Sequence, residues 1–222
     1  MKTTQGTIIP LAWPNTPVIK EGKWYDGVMA HLGFLQNGFY KAGHAALVLV
    51  NHEENEFRYF DFGRYQTPKK HGRVRDLHTD PDLTLKTKPL IKNNRIVNIE
   101  ELMTELAQLD ATHGEGRLIT ATKFVPNIER AFAKAKAMQN KEAIIYGPFN
   151  LDGTNCSRFV AQTAKASNLG WLKNLLIRIP YTITHTTITN VKLINDKRFY
   201  YELKEGVFTK RLNMLYPLIK KG

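Results

Sequence analysis

Gly153-Thr154-Asn155-Cys156-Ser157-Arg158-Phe159-Val160 holds the chain's one cysteine. Small polar residues precede the thiol and an apolar pattern follows it. Phe159, Val160, Thr163 and Ala164 stand at the i+3, i+4, i+7 and i+8 offsets of a single helical face. The spacing predicts a helix from about Asn155 to Ser167, ended near Gly170, with Cys156 in its first turn. Unpaired N–H groups and the positive dipole end at a helix start favour an anion. A thiolate is such an anion, so the position favours a nucleophilic sulfur. The competing reading is a buried structural thiol, because free cysteine packs as a small apolar side chain.

A cysteine nucleophile needs a base, usually histidine, and a third polar group to hold the imidazole. His44-Ala45-Ala46-Leu47-Val48-Leu49-Val50 is a continuous apolar run, the pattern of a strand covered on both faces. After the polar stretch Asn51 to Glu56 comes Phe57-Arg58-Tyr59-Phe60-Asp61-Phe62, ended by Gly63. The two runs form a hairpin with a longer loop. A turn centred near residue 53 or 54 pairs Asp61 with about residue 46, two positions from His44. The pleat then puts imidazole and carboxylate on one face. Of the seven histidines, His52, His71, His78, His113 and His185 fall in loops or irregular stretches, and His31 reads as a helix-face residue. His44 opens a rigid strand. A buried Asp61 requires a partner, for which His44, a backbone N–H and Arg64 compete.

The rest of the chain alternates strand and helix patterns. Strands are expected at Thr7 to Ala12, Leu83 to Lys88, Arg117 to Phe124 and Thr186 to Ile194. A helix is expected from Trp24 to Leu35. A second runs from Asn98, with Glu101 completing a capping box, to about Asp110. A third follows Pro126 to about Asn140, and its alanines 131, 133, 135 and 137 suggest close packing. Residues 63 to 80 read as basic and irregular. The order indicates an α+β fold in one domain over residues 1–222, with 171–222 as a C-terminal extension.

Composition excludes several classes. The 222 residues are 42% hydrophobic, ample for a core, and one cysteine forms no internal disulfide. No stretch approaches the ~20 apolar residues of a membrane span. Met1 to Pro17 carries no apolar signal core, so a cytoplasmic chain is expected. There is no zinc finger, helix-turn-helix or RNA-stacking motif. Without C-x-x-C or H-x-x-x-H pairs, neither a metal nor a cofactor is expected. The net charge of +12 suits anionic partners or a solvated basic face. Its densest internal run is Lys69-Lys70-His71-Gly72-Arg73-Val74-Arg75, and Lys220-Lys221 lies near the end.

Three segments together carry a family resemblance: Gly43 to Val50, Tyr59 to Tyr65, and Tyr146-Gly147-Pro148-Phe149 through Asn155-Cys156-Ser157-Arg158-Phe159-Val160. A histidine opening a strand, a polar residue on the next strand and a later Asn-Cys-x-x-Phe opening a helix resemble the permuted papain-like cysteine hydrolases. These include the NlpC-type peptidases and the lecithin:retinol acyltransferase-like enzymes. The histidine comes first, 112 positions before Cys156. The resemblance covers about residues 40–165. It implies a circularly permuted papain-like fold, an antiparallel sheet packed against helices, with Cys156 as nucleophile at a helix N-terminus. His44 would be base and then acid, and Asp61 the orienting group. Relatives often carry His, Gln, Asn or Glu at that third position, and this chain departs from them. The Cys156 N–H would serve the oxyanion. Tyr146 and Asn155 belong to the oxyanion and substrate side, although the gap from Tyr146 to Cys156 is longer than in many relatives. Arg64, Arg73 and Arg75 either line the cleft and grip a substrate carboxylate or phosphate, or are surface loop residues. The expected substrate is a small-molecule, peptide or lipid acyl group. The alternative is a non-catalytic binding domain that holds an anionic partner on its basic loops.

Overall fold

The computed structural model describes residues 3–19, 35–36, 39–40, 43–147, 152–177 and 186–219. Its elements in chain order begin with β1 (Gly6–Trp13), β2 (Val18–Ile19), β3 (Leu35–Gln36), β4 (Phe39–Tyr40), β5 (His44–Asn51), β6 (Glu56–Gly63) and β7 (His71–Arg75). They continue with β8 (Ile91–Lys92), β9 (Arg95–Ile96), α1 (Ile99–Gln108), β10 (Leu118–Thr120), β11 (Lys123–Val125), α2 (Glu129–Gln139) and β12 (Ile144–Ile145). The last are α3 (Cys156–Ala166), α4 (Trp171–Leu176), α5 (Thr187–Ile194), β13 (Phe199–Lys204), β14 (Val207–Leu212) and α6 (Tyr216–Ile219). The expected helix from Trp24 to Leu35 lies outside the described residues except for Leu35, which opens β3.

The result is a mixed α+β protein built on an antiparallel sheet in the order β12-β7-β6-β5-β1-β10-β13-β14, with β11 also paired to β1. Helices cover both faces. On one, Ala45, Leu47, Leu49, Phe60 and Phe62 pack against Ala131 and Ala135 of α2 and Phe159, Val160 and Ala164 of α3. On the other, Ala46, Val48, Val50, Phe57 and Tyr59 pack against Ile99, Leu102, Met103 and Leu106 of α1. Two-sided burial is why β5 reads as an unbroken apolar run. In the hairpin Ala46 stands opposite Asp61, the expected register.

Four elements depart from the sequence expectations. The strand at Arg117 to Phe124 is split into β10 and β11. Pro10, in the facing strand, has no N–H to donate, and its carbonyl accepts from the Thr120 hydroxyl at 2.8 Å. Leu83 to Lys88 forms no strand. The Glu105 carboxylate of α1 accepts the N–H groups of Lys86 (2.5 Å) and Thr87 (2.9 Å), which takes donors a ladder would need. Residues 187–194 are helical, although their β-branched residues suggest a strand. Thr186 accepts the Thr189 N–H at 3.3 Å as a cap, and Thr187, Asn190, Val191 and Ile194 bury one helical stripe. The irregular 63–80 stretch contains β7, whose Arg75 stands opposite Asp61. The C-terminal part continues the sheet, because β13 pairs with β10.

The capping box at α1 is also modified. Asn98 donates to Glu101 at 3.0 Å but spends its own oxygen on the Leu90 N–H, and no helical N–H. On α2 only alternate alanines pack closely. Ala131 and Ala135 are buried, whereas Ala133 and Ala137 are exposed. Ala135→Leu is therefore expected to destabilise by about 1–3 kcal/mol through overpacking, against less than about 0.5 kcal/mol for Ala137→Leu. Urea denaturation of the two variants measures the contrast.

Candidate functional site

Asn155 adopts extended backbone (φ −140°, ψ 176°), and its side-chain oxygen accepts the Arg158 N–H at 2.8 Å. This N-cap fixes the start of α3 and places Cys156 first in the helix. Two further ties hold that turn. Asn190 of α5 donates to both the carbonyl and the hydroxyl of Ser157, each at 2.7 Å. Before the helix, Thr154 bridges to Tyr146, with Gly147 N–H donating to the Thr154 carbonyl at 3.0 Å. Cys156 is buried.

His44 sits at the first position of β5, after Gly43, whose φ is +69°. A Cβ on Gly43 would stand 2.7 Å from the Trp13 carbonyl, so this entry to the strand suits glycine alone. The imidazole stacks on Trp13, with centroids 5.8 Å apart. Its Nε2 lies 3.4 Å from Asp61 Oδ2, an ion-pair contact that does not reach hydrogen-bond geometry. The Cys156 sulfur is near enough to the ring to favour its charged form. Burial works against charge on His44, but Asp61 and Cys156 outweigh it and raise the imidazole from 6.5 to about 9.

Asp61 is fully buried and surrounded by donors. Arg75 forks onto it, Nε to Oδ1 at 3.0 Å and Nη2 to Oδ2 at 2.6 Å. Tyr59 and Tyr65 donate their hydroxyls to Oδ2 at 3.2 and 3.0 Å. Burial alone would push this carboxyl up; the contacts and charges of His44 and Arg75 outweigh it and hold it below the ordinary value. Both tyrosines are pushed well above the ordinary phenol, first by burial and then by the Asp61 charge, so they remain donors. Gly63 makes room for this arrangement, since a Cβ there would fall 2.3 Å from the Tyr65 ring.

The structure thus brings Cys156, His44 and Asp61 together, and it distributes the other sequence candidates differently. Arg75 is buried and committed to Asp61, with Nη2 also donating to the Ala111 carbonyl at 3.0 Å. Arg73 forks onto Asp80 at 2.6 and 2.7 Å, and its Nε donates to the Tyr65 carbonyl. These two guanidinium groups serve internal carboxylates, which corrects the expectation that they face a substrate anion. Arg64 lies 5.1 Å from the Tyr146 ring centroid, and Tyr146 stacks on Phe62 at 5.7 Å. Arg64 is not the partner of Asp61. Sequence reasoning missed Tyr59, Tyr65 and His113, whose ring stacks on Tyr65 at 5.4 Å. Only the strand alternation of Tyr59 with Asp61 carried a signal. His31 and His185, together with Pro148 and Phe149 of the third motif, lie outside the described residues, as do Lys220 and Lys221. Among the described residues no helix is long and apolar enough to cross a membrane.

A mixed α+β protein, its antiparallel sheet flanked by helices and a thiol, an imidazole and a carboxylate gathered where β5 begins, is the class that these features define. Residues 8–170 match the family described as type VI secretion system effector TseH-like, and the chain belongs to that family. Its fold is similar to the crystal structure of the type VI secretion system effector TseH. The TM-score is 0.58 at 19% identity, with 94% of this chain and 99% of that chain covered. No curated protein matches the chain.

The raised imidazole has a stability consequence. His44 holds its proton more firmly in the folded than in the unfolded chain, so its contribution is complete below about 6.5 and is lost as pH rises through about 9. Lys173, lowered to about 8 first by its burial, contributes with opposite sign over an overlapping range. The readout is therefore the difference between wild type and His44→Gln. In urea denaturation that difference shrinks between about pH 6.5 and 9.

Proposed function

We propose that the chain is a cysteine hydrolase of permuted papain-like type, acting by acyl transfer through Cys156, His44 and Asp61. The observation that carries this reading is the meeting of three side chains from α3, β5 and β6, with the imidazole beside the sulfur and 3.4 Å from the carboxylate. The Cys156 thiolate attacks the carbonyl carbon of an amide or ester. The Cys156 N–H, unpaired within the first turn of α3, faces the developing oxyanion. The His44 imidazolium gives its proton to the departing nitrogen or oxygen as the C–N or C–O bond breaks, leaving a thioester. His44, now neutral, takes a proton from water, which attacks the thioester and restores the sulfur–imidazole pair.

The family's description as a secretion-system effector is compatible with an enzyme, and the substrate proposed here is a peptide or lipid acyl group. The alternative, a binding domain that holds an anion on its basic loops, loses support because Arg73 and Arg75 are paired internally.

An alkyne-tagged acyl probe tests the proposal. The wild type is labelled on Cys156, Cys156→Ala is not labelled, and His44→Ala is labelled about 100-fold more slowly or worse. Circular dichroism checks that both variants fold. Equal labelling of Cys156→Ala and wild type overturns the reading.

A further inference from the structure

The Asp61 carboxylate receives more donors than it can serve well. Oδ2 alone accepts Arg75 Nη2 at 2.6 Å, Tyr65 OH at 3.0 Å and Tyr59 OH at 3.2 Å, and His44 Nε2 is left at 3.4 Å. Nε2 is buried and has no hydrogen-bond partner among the described residues. In a triad the third group is usually the hydrogen-bond acceptor of the imidazole. Here that acceptor is occupied by other donors.

We propose that Tyr65 and Arg75 are positioning residues that govern how firmly His44 holds its proton, by occupying the lone pairs of Asp61. The inference rests on the hydrolase reading above and adds a control on its acid–base group. Arg75 offsets part of the carboxylate charge through its fork. Tyr65 takes the lone pair that Nε2 would otherwise use. The guanidinium of Arg75 lies 3.4 Å from the Tyr65 ring centroid and also donates to the Ala111 carbonyl, so the two act as one unit. His113, in the left-handed conformation, stacks on the other partner, Tyr65. Among the described residues the imidazole is faced by Cys156 from α3, Asp61 from β6 and His113 from the 110–116 loop, while Tyr59 from β6, Tyr65 from the following loop and Arg75 from β7 reach it through Asp61. A general acid must give its proton up as well as hold it. An imidazole oriented by charge at ion-pair distance is freer to do so than one locked to its carboxylate.

The test is an NMR titration of histidine-labelled protein, with the His44 signal identified by its loss in His44→Gln. In Tyr65→Phe an Oδ2 lone pair is released to Nε2, and the His44 midpoint rises by roughly 0.5 to 1 pH unit, the worth of one hydrogen bond gained. Arg75→Lys keeps the charge but loses the fork, and moves the midpoint in the same direction. A residue that merely supports the fold would leave the midpoint unmoved. An unchanged His44 titration in a folded Tyr65→Phe overturns the proposal. Acyl-probe labelling of the same wild-type sample separates the two claims: absent labelling with a shifted midpoint refutes the hydrolase reading alone.

Discussion

A carboxylate with no exposed surface must be met by donors, and the neighbourhood of Asp61 is organised by that requirement. Burying an unpaired charge is prohibitive, and breaking a buried pair by deleting one partner costs about 3–5 kcal/mol. Asp61 lies on β6, an interior strand of a sheet covered on both faces, and has no exposed surface, so water cannot serve it. Arg75 from β7, Tyr59 from β6 itself and Tyr65 from the connecting loop do so instead. The same charge reaches His44 on β5. One buried anion thus fixes the relative placement of three adjacent strands and the loop between the last two.

The sulfur arrives from a different layer. α3 packs on the sheet face carrying Phe60 and Phe62, whereas Asp61 alternates to the opposite face with Tyr59. The imidazole can meet both because it stands at the very start of β5. Gly43 turns the chain into that strand, and Trp13 braces the ring. On the helix side, the Asn155 cap and the Asn190 clamp on Ser157 keep the thiol at the first helical position.

Much of this was legible in the sequence because it depends on local periodicity. The apolar run of β5, the hairpin register of Asp61 against Ala46 and the capped start at Cys156 follow from spacing alone. What stayed hidden depends on partners distant in sequence. Arg75 sits in a basic stretch that resembles a solvated loop, and nothing local marks it as the counter-ion of a residue on the preceding strand. Pro10 interrupts a ladder more than a hundred residues away. The Thr-Ile-Thr-Asn-Val-Lys-Leu-Ile segment is β-branched, yet its cap and its buried stripe make it α5. Tertiary burial prevailed over propensity there. The TseH-like family and the fold likeness at 19% identity define the framework, and the chemistry rests on the chain's own side chains.

The proposed chemistry depends on Cys156 and His44 working as one unit. The most direct measurement is the rate of Cys156 alkylation by iodoacetamide at about pH 6, in wild type and in a folded His44→Ala variant. Wild type is expected to react at least about tenfold faster, because the neighbouring imidazole serves as the base that the sulfur needs. Equal rates in the two proteins would contradict it.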